Sequence, residues 1–218
     1  MQKRLITESF WCTVEGKREM SYFHWLQKLI NSTNARKANI KINMPAEKIS
    51  PDIYVKGLNI LEKTDLYHVI DTETQSIYHV KNFKSQIDEM RKAEKLGKEI
   101  TYHLAYSNMS FEVWMLMHKT SNVPYVIEPK YYLNTINRFF QTQFQSIKDF
   151  KEETNFNRIL SSLNLQDVKK AVTNAANLMN NVSQNQTPEI YRKEKYYCDN
   201  PSLSVHEFVK RILCAAGL

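Results

Sequence analysis

Ser9-Phe10-Trp11-Cys12-Thr13-Val14-Glu15-Gly16 decides the fold. Its aromatic and β-branched residues suit a buried strand, and the run stops abruptly at an acid and a glycine. Directly after it, Met20, Phe23, Leu26 and Ile30 recur at steps of three and four. That spacing places them on one face of a helix over residues 19–31, ready to pack back on the strand. Working outward, residues 39–43 read as a second strand, and residues 52–63 as a helix through Ile53, Leu58 and Leu61. Leu66-Tyr67-His68-Val69-Ile70-Asp71 is a third strand with a polar end. Phe83, Ile87, Met90 and Ala93 give another helical stripe, and residues 100–105 another strand. Strand–helix alternation of this kind implies an α/β fold with a mainly parallel sheet covered by helices. In such sheets ligands sit beyond the carboxyl ends of the strands, where Glu15, Asp71, Ser107 and Asn108 fall.

The second half reads differently. Helical patterns cover residues 130–150, 167–182 and 205–216, no strand is expected there, and the polar, proline-bearing residues 180–188 read as a loop. The expected organisation is an α/β core over residues 1–125, carrying the acidic site, and a helical extension over residues 126–218 packed on it. The aromatic residues Tyr131, Tyr132, Phe139, Phe140 and Phe144 suit either core or an interface between copies, with core favoured.

Composition narrows the function classes. With 42% hydrophobic and 24% charged residues the chain is ordinary for a globular protein. It has no run near the roughly 20 apolar residues of a membrane span, and its first residues, MQKRLITESF, lack the apolar core of a secretory signal. A cytoplasmic protein without membrane partners is expected. Cys12, Cys198 and Cys214 are odd in number and match no C-x-x-C pair, so they read as free thiols. The net charge of +7 favours contact with nucleic-acid phosphates. The basic residues nonetheless lie in short groups such as Lys3-Arg4, Arg36-Lys37 and Arg192-Lys193, which a solvated surface explains equally well.

Asp71 and Glu73 stand two positions apart, so a strand continuing through both would project the two carboxylates from one face. Glu15 would add a third if the first and third strands are neighbours. Mg2+ or Mn2+ suits such a set, because these hard cations take a few carboxylates, keep waters and accept a substrate phosphate. The matching chemistry is metal-assisted phosphodiester hydrolysis, with Glu15 as the base. Taken singly, each acid is an ordinary strand-end carboxylate. The set matters because like charges gathered at one sheet edge repel unless a cation or a proton balances them.

Three segments carry a resemblance. Thr13-Val14-Glu15-Gly16-Lys17-Arg18-Glu19-Met20-Ser21-Tyr22-Phe23 resembles the opening E-G-x-x-x-E-x-x-Y-F segment of the RloB family. Ser107-Asn108-Met109-Ser110-Phe111-Glu112-Val113-Trp114-Met115-Leu116-Met117-His118 resembles the family's S-N-P-x-F-E-x-W-x-x-x-H block, and Asn200-Pro201-Ser202 with Val205-His206 its carboxyl-terminal stretch. The resemblance implies a Toprim-like core in which a strand-end glutamate and a D-x-D motif bind Mg2+. Glu15 matches the first, and Asp71-Thr72-Glu73 the second with glutamate for the last aspartate. Met109 replaces the usual proline, which implies a less rigid loop. The implied function is a metal-dependent nuclease, acting on RNA or DNA as an antiviral or abortive-infection effector beside a partner ATPase. The alternative is a non-catalytic Toprim-like sensor or adaptor binding a phage component, nucleic acid or that ATPase; a primase-like transferase ranks below both. Lys17, Ser107 and Asn108 are the candidate substrate contacts. Glu112 and His118 are further candidates, although Glu112 equally suits a helix first turn and His118 the core face of Phe111, Trp114 and Met115. Ser110 is the expected N-cap of that helix.

Overall fold

In the computed structural model, which describes residues 5–60 and 62–218, the opening stretch forms strand β1 (Thr7–Val14) and runs into helix α1 (Lys17–Ser32). Phe23, Leu26 and Ile30 are buried on the expected stripe of α1, joined by Tyr22. Strand β2 (Asn39–Asn43), helix α2 (Pro51–Gly57), strand β3 (Thr64–Asp71), helix α3 (Ile77–Glu94) and strand β4 (Ile100–Asn108) complete the alternation. Phe83, Ile87, Met90 and Ala93 are the buried face of α3. Helix α2 departs from the expectation: it stops at Gly57, Val55 is its core residue, and Ile53 is exposed. Leu61 and the Lys3-Arg4 pair lie outside the described residues.

The sheet order is β2-β1-β3-β4-β7, parallel throughout except for the last pair, in which β7 (Ser202–Leu203) runs antiparallel to β4. The chain steps from β1 outward to β2, then returns across β1 to β3. Because such crossovers are right-handed, reversing direction puts the crossover helices on opposite faces. Accordingly α1 packs with the carboxyl-terminal helix in one core cluster, and α2 and α3 bury Val55, Met90 and Ala93 against Leu66 and Tyr102 in another. The order reverses between β1 and β3, and the crevice beyond their carboxyl ends is the usual ligand position of an open α/β sheet. The outer edge of β2 is closed by α1: Asn31 bonds both the N–H and the carbonyl of Ile40 at 2.8 Å, and Gln27 accepts from the Ile42 N–H at 2.6 Å.

Beyond β4 come the short helix α4 (Glu112–Met117), a 3-10 turn (Pro129–Tyr132), α5 (Leu133–Phe140), α6 (Ile147–Lys151), α7 (Glu153–Ser161), α8 (Leu165–Asn185), the hairpin β5 (Glu189–Tyr191) and β6 (Glu194–Tyr196), then β7 and α9 (Val205–Ala215). The helical second half stands, with three corrections. Strands β5, β6 and β7 occupy a region expected to hold none. Helix α8 extends through Asn185, into the residues expected as a loop, because an Asn164/Asp167 capping box starts it and Val168, Ala171, Ala175 and Val182 carry a buried stripe to its end. The single helix expected over residues 130–150 is broken at Gln141, whose φ of 55° ends α5, and restarts at the Ser146/Asp149 capping box of α6. Of the aromatic run, Tyr132 and Phe144 are core and Tyr131 is half exposed.

Candidate active site

Glu15 follows the last residue of β1, and Asp71 is the last of β3; the register pairs Val14 with Val69. The neighbouring strands bring the two acids together, and the Asp71 N–H donates to Glu15 Oε2 at 2.8 Å. The other Glu15 oxygen faces Lys48 Nζ at 3.6 Å. Helix α1 begins two residues later, so its first turn overhangs the same edge and contributes Arg18 and Glu19. Gly16 permits the approach, because a Cβ there would lie 3.1 Å from Glu19 Oε2. That oxygen is buried and has no hydrogen-bond partner. Arg18 Nη1 donates to Glu112 Oε1 at 2.5 Å, and Lys151 Nζ stands 3.5 Å from the same oxygen. Glu112 is fully buried, and its Oε2 is unpartnered.

The electrostatics follow from this crowding. Burial, then Glu19, Glu15 and Glu112, push the Asp71 carboxyl well above the usual carboxylate range, with Arg18 opposing. Burial also raises Glu19; Arg18 pulls the other way. Burial would raise Glu112 too, but Arg18 and then Lys151 outweigh it and hold that carboxyl low. Arg18 itself is raised: burial disfavours its charge, and Glu112, Glu19 and Asp71 more than compensate. Three of the carboxylates, Glu112, Glu19 and Asp71, thus act on one part-buried arginine.

Glu73 is placed differently. The strand ends at Asp71, so the same-face geometry of a continuous strand does not arise. Glu73 adopts φ 56°, its N–H donates to the Met109 carbonyl at 2.9 Å, and its carboxylate contacts His79 Nε2 at 2.7 Å. Met109 itself is buried. Ser107 and Asn108 are buried rather than presented to solvent. Asn108 Nδ2 donates to the carbonyls of Tyr197 and Cys198 at 2.8 Å, and its Oδ1 accepts from Thr72 Oγ1 at 3.1 Å. Lys17 is exposed at the start of α1. His118 is buried, 3.1 Å from the Tyr22 hydroxyl, with Nδ1 against the Trp114 carbonyl at 3.1 Å. Burial lowers its pKa to about 4, so at neutral pH it is an uncharged member of the core. Ser110 is not the side-chain cap of α4; its hydroxyl is buried without a partner, and its carbonyl accepts from the Val113 N–H at 3.0 Å.

Arg18 and Glu19 are the site residues that sequence reasoning missed. A signal was present: Glu19 precedes Phe23, Leu26 and Ile30 by four, seven and eleven positions, so it is an acid on the buried stripe of α1.

The donor set fits a hard divalent cation by its chemistry: clustered carboxylate oxygens, two of them buried without partners, and acids that raise one another's pKa. It is not a finished cage, since among the described residues no group of three or more His, Cys, Asp or Glu is placed to hold a metal ion. Mg2+ does not require one, because it is commonly bound through one or two carboxylates plus waters and substrate phosphates. Among the described residues no helix is long and apolar enough to cross a membrane. A family model described as RloB-like protein matches residues 10–212. No curated protein and no solved structure matches the chain.

Proposed function

The chain belongs to the RloB-like family, and from that membership we propose that it is a metal-dependent nuclease, hydrolysing phosphodiester bonds of RNA or DNA as an antiviral effector. The observation that carries the reading is the contact of Glu15 with Asp71 at the strand-order reversal, beside the unpartnered Glu19 oxygen. Glu15 and Asp71 would hold Mg2+ or Mn2+, with Glu19 adjoining. When bound there, such a cation would supply Lewis-acid polarisation of a phosphoryl group and a lowered pKa for an attacking water. Glu15, at the rim of the crevice, takes that water's proton. Arg18, with Lys151, keeps Glu112 ionised, and it is the least exposed cation among the described residues facing the cluster. Lys17, exposed at the first position of α1, meets the substrate backbone. Glu73 joins the set only by leaving His79.

That last point favours a second reading. With Glu73 engaged by His79, the Asp71/Glu73 pair does not converge, as suits a sensor or adaptor that keeps the core without the chemistry. In either reading we place the protein in the cytoplasm, with a partner ATPase, and treat residues 126–218 as an extension of the core.

The deciding experiment incubates purified protein with end-labelled transfer RNA, single-stranded RNA and plasmid DNA in Mg2+, Mn2+ or EDTA, beside Glu15→Gln and Asp71→Asn. Metal-dependent cleavage that both substitutions abolish supports the nuclease. No cleavage of any substrate, together with cellular toxicity unchanged in both variants, favours the adaptor.

A further inference from the structure

A groove runs along α3, between that helix and the β5–β6 hairpin. Three adjoining cavities form it: the first, about 200 Å³, begins at Thr72, next to Asp71, and shares Gln75, Val80 and Lys84 with the second. The second shares Ser85 and Asp88 with the third, which ends at Lys95. The 18 residues of α3 give it a length of about 27 Å. Its walls are basic: Lys81, Lys84 and Lys92 come from α3, Lys95 from its C-cap, and Arg192 and Lys193 from the hairpin. Two of its acids are already matched, Asp88 by Arg192 and Tyr191, and Glu94 by Arg91. At the Thr72 end the walls carry more apolar and aromatic side chains, Val80, Phe83, Tyr196 and Tyr197, with Glu189 and Lys84 among them. Ile77 lines the second cavity, and its chain neighbour Tyr78 stands outside the three linings on the same first turn of α3; they are 89% and 76% exposed, the two largest exposures among the large hydrophobic side chains of the described residues.

Apolar and aromatic surface at one end, followed by a lane of lysines, matches an unpaired nucleic-acid strand better than a duplex. Exposed bases of a single strand stack on aromatic and apolar side chains while the backbone tracks the cations, whereas a duplex keeps its bases covered. We propose that this groove binds the single-stranded nucleic acid whose scissile phosphate reaches Glu15 and Asp71, with Tyr78 as the stacking platform and Lys81, Lys84 and Lys92 as backbone contacts. It rests on the nuclease reading and adds a substrate class to it: an unpaired strand, or the unpaired loop of a folded RNA. Net charge supports the same polarity, since at +7 the whole chain attracts polyanions.

The test separates binding from cleavage. Fluorescein-labelled oligo(U) and oligo(dT) of about 12 nucleotides, and a duplex of equal length, are titrated by anisotropy with the intact protein in EDTA at several salt concentrations. The expected result is tighter binding of the single strands, weakened about tenfold by Tyr78→Ala. The triple Lys81→Gln, Lys84→Gln, Lys92→Gln variant should lower the salt slope by about 0.7 for each lysine removed. These side chains lie outside the core, and thermal melting checks that each variant is folded. Single-strand binding that neither variant alters overturns the groove and leaves the nuclease reading standing. Equal or tighter duplex binding overturns the substrate class. Binding of no nucleic acid, alongside no cleavage in Mg2+, overturns the groove and the nuclease reading together.

Discussion

Arg18, part-buried, is the least exposed of the cations that face the acid cluster among the described residues, and its partner Glu112 has no exposed surface. Removing the part-buried guanidinium leaves the buried Glu112 with Lys151 as its remaining cation, so Arg18→Met should destabilise the protein by up to about 3 kcal/mol, the low end for a broken buried pair. The double variant Arg18→Met, Glu112→Gln should recover most of that loss in urea unfolding. A single-variant cost below about 1 kcal/mol would mean that the pair behaves like a solvent-exposed bridge. At the same scale, cleavage should separate the two acids of the D-x-E pair: Asp71→Asn should remove about a hundredfold or more of metal-dependent activity, and Glu73→Gln less than about tenfold. A reversed ranking in a nuclease assay would mean that Glu73 leaves His79 and enters the site. The contrast between the two residues marks what spacing could convey. Both strand ends were legible, and with them the meeting of Glu15 and Asp71. The period-two argument for Glu73 required the strand to persist, and a left-handed residue ended it. Glu19 was legible only to a reader asking why an acid shared a stripe with Phe23 and Leu26.

At the scale of elements, β2 is an edge strand, and α1 takes three of its outward groups. Asn31 satisfies the N–H and the carbonyl of Ile40, and Gln27 the N–H of Ile42, so α1 protects the edge it packs beside. Asn31→Ala should cost about 1–3 kcal/mol by leaving two backbone groups half-buried and unpaired. With Gln27→Ala added, the open edge should show as concentration-dependent self-association in sedimentation velocity. A double variant that stays monomeric at full stability would show that water satisfies this edge unaided. The parallel alternation was readable because each strand and helix carries its own period. The hairpin was not, for a local reason: its turn residues Arg192 and Lys193 adopt φ 52° and 75°, positions where Asn-Gly normally announces the turn. Helix α8 was cut short in the reading because its Asn- and Gln-rich end faces solvent, while sparse buried positions hold the helix in place.

For the whole molecule, one apolar cluster joins β1, α1 and the helices of the second half, with Phe208 of α9 stacked on Tyr67 of β3 at 4.0 Å. We therefore propose that both halves unfold together, so that tryptophan fluorescence and far-UV circular dichroism should trace coincident urea transitions. The pH dependence of that transition follows from three buried histidines. Burial lowers His68 to about 3 and His118 and His206 to about 4, against an ordinary value of 6.5. Above that ordinary value they are neutral folded or unfolded, and contribute nothing to the slope. Below it only the unfolded chain gains their protons, so stability falls as pH drops from about 6.5 toward about 4, by at most about 1.4 kcal/mol per unit for each histidine. The raised carboxyls of Asp71 and Glu19 act in the opposite sense: they take up protons in the folded state first, which favours folding as pH falls through their raised values. The two contributions separate by substitution. His118→Gln, which can keep a hydrogen bond to Tyr22, should flatten the loss of stability between about pH 6.5 and about pH 5, whereas Asp71→Asn should steepen it. An unchanged slope in His118→Gln would mean that this histidine gains its proton within the folded core, and that the Tyr22–His118 contact opens to water.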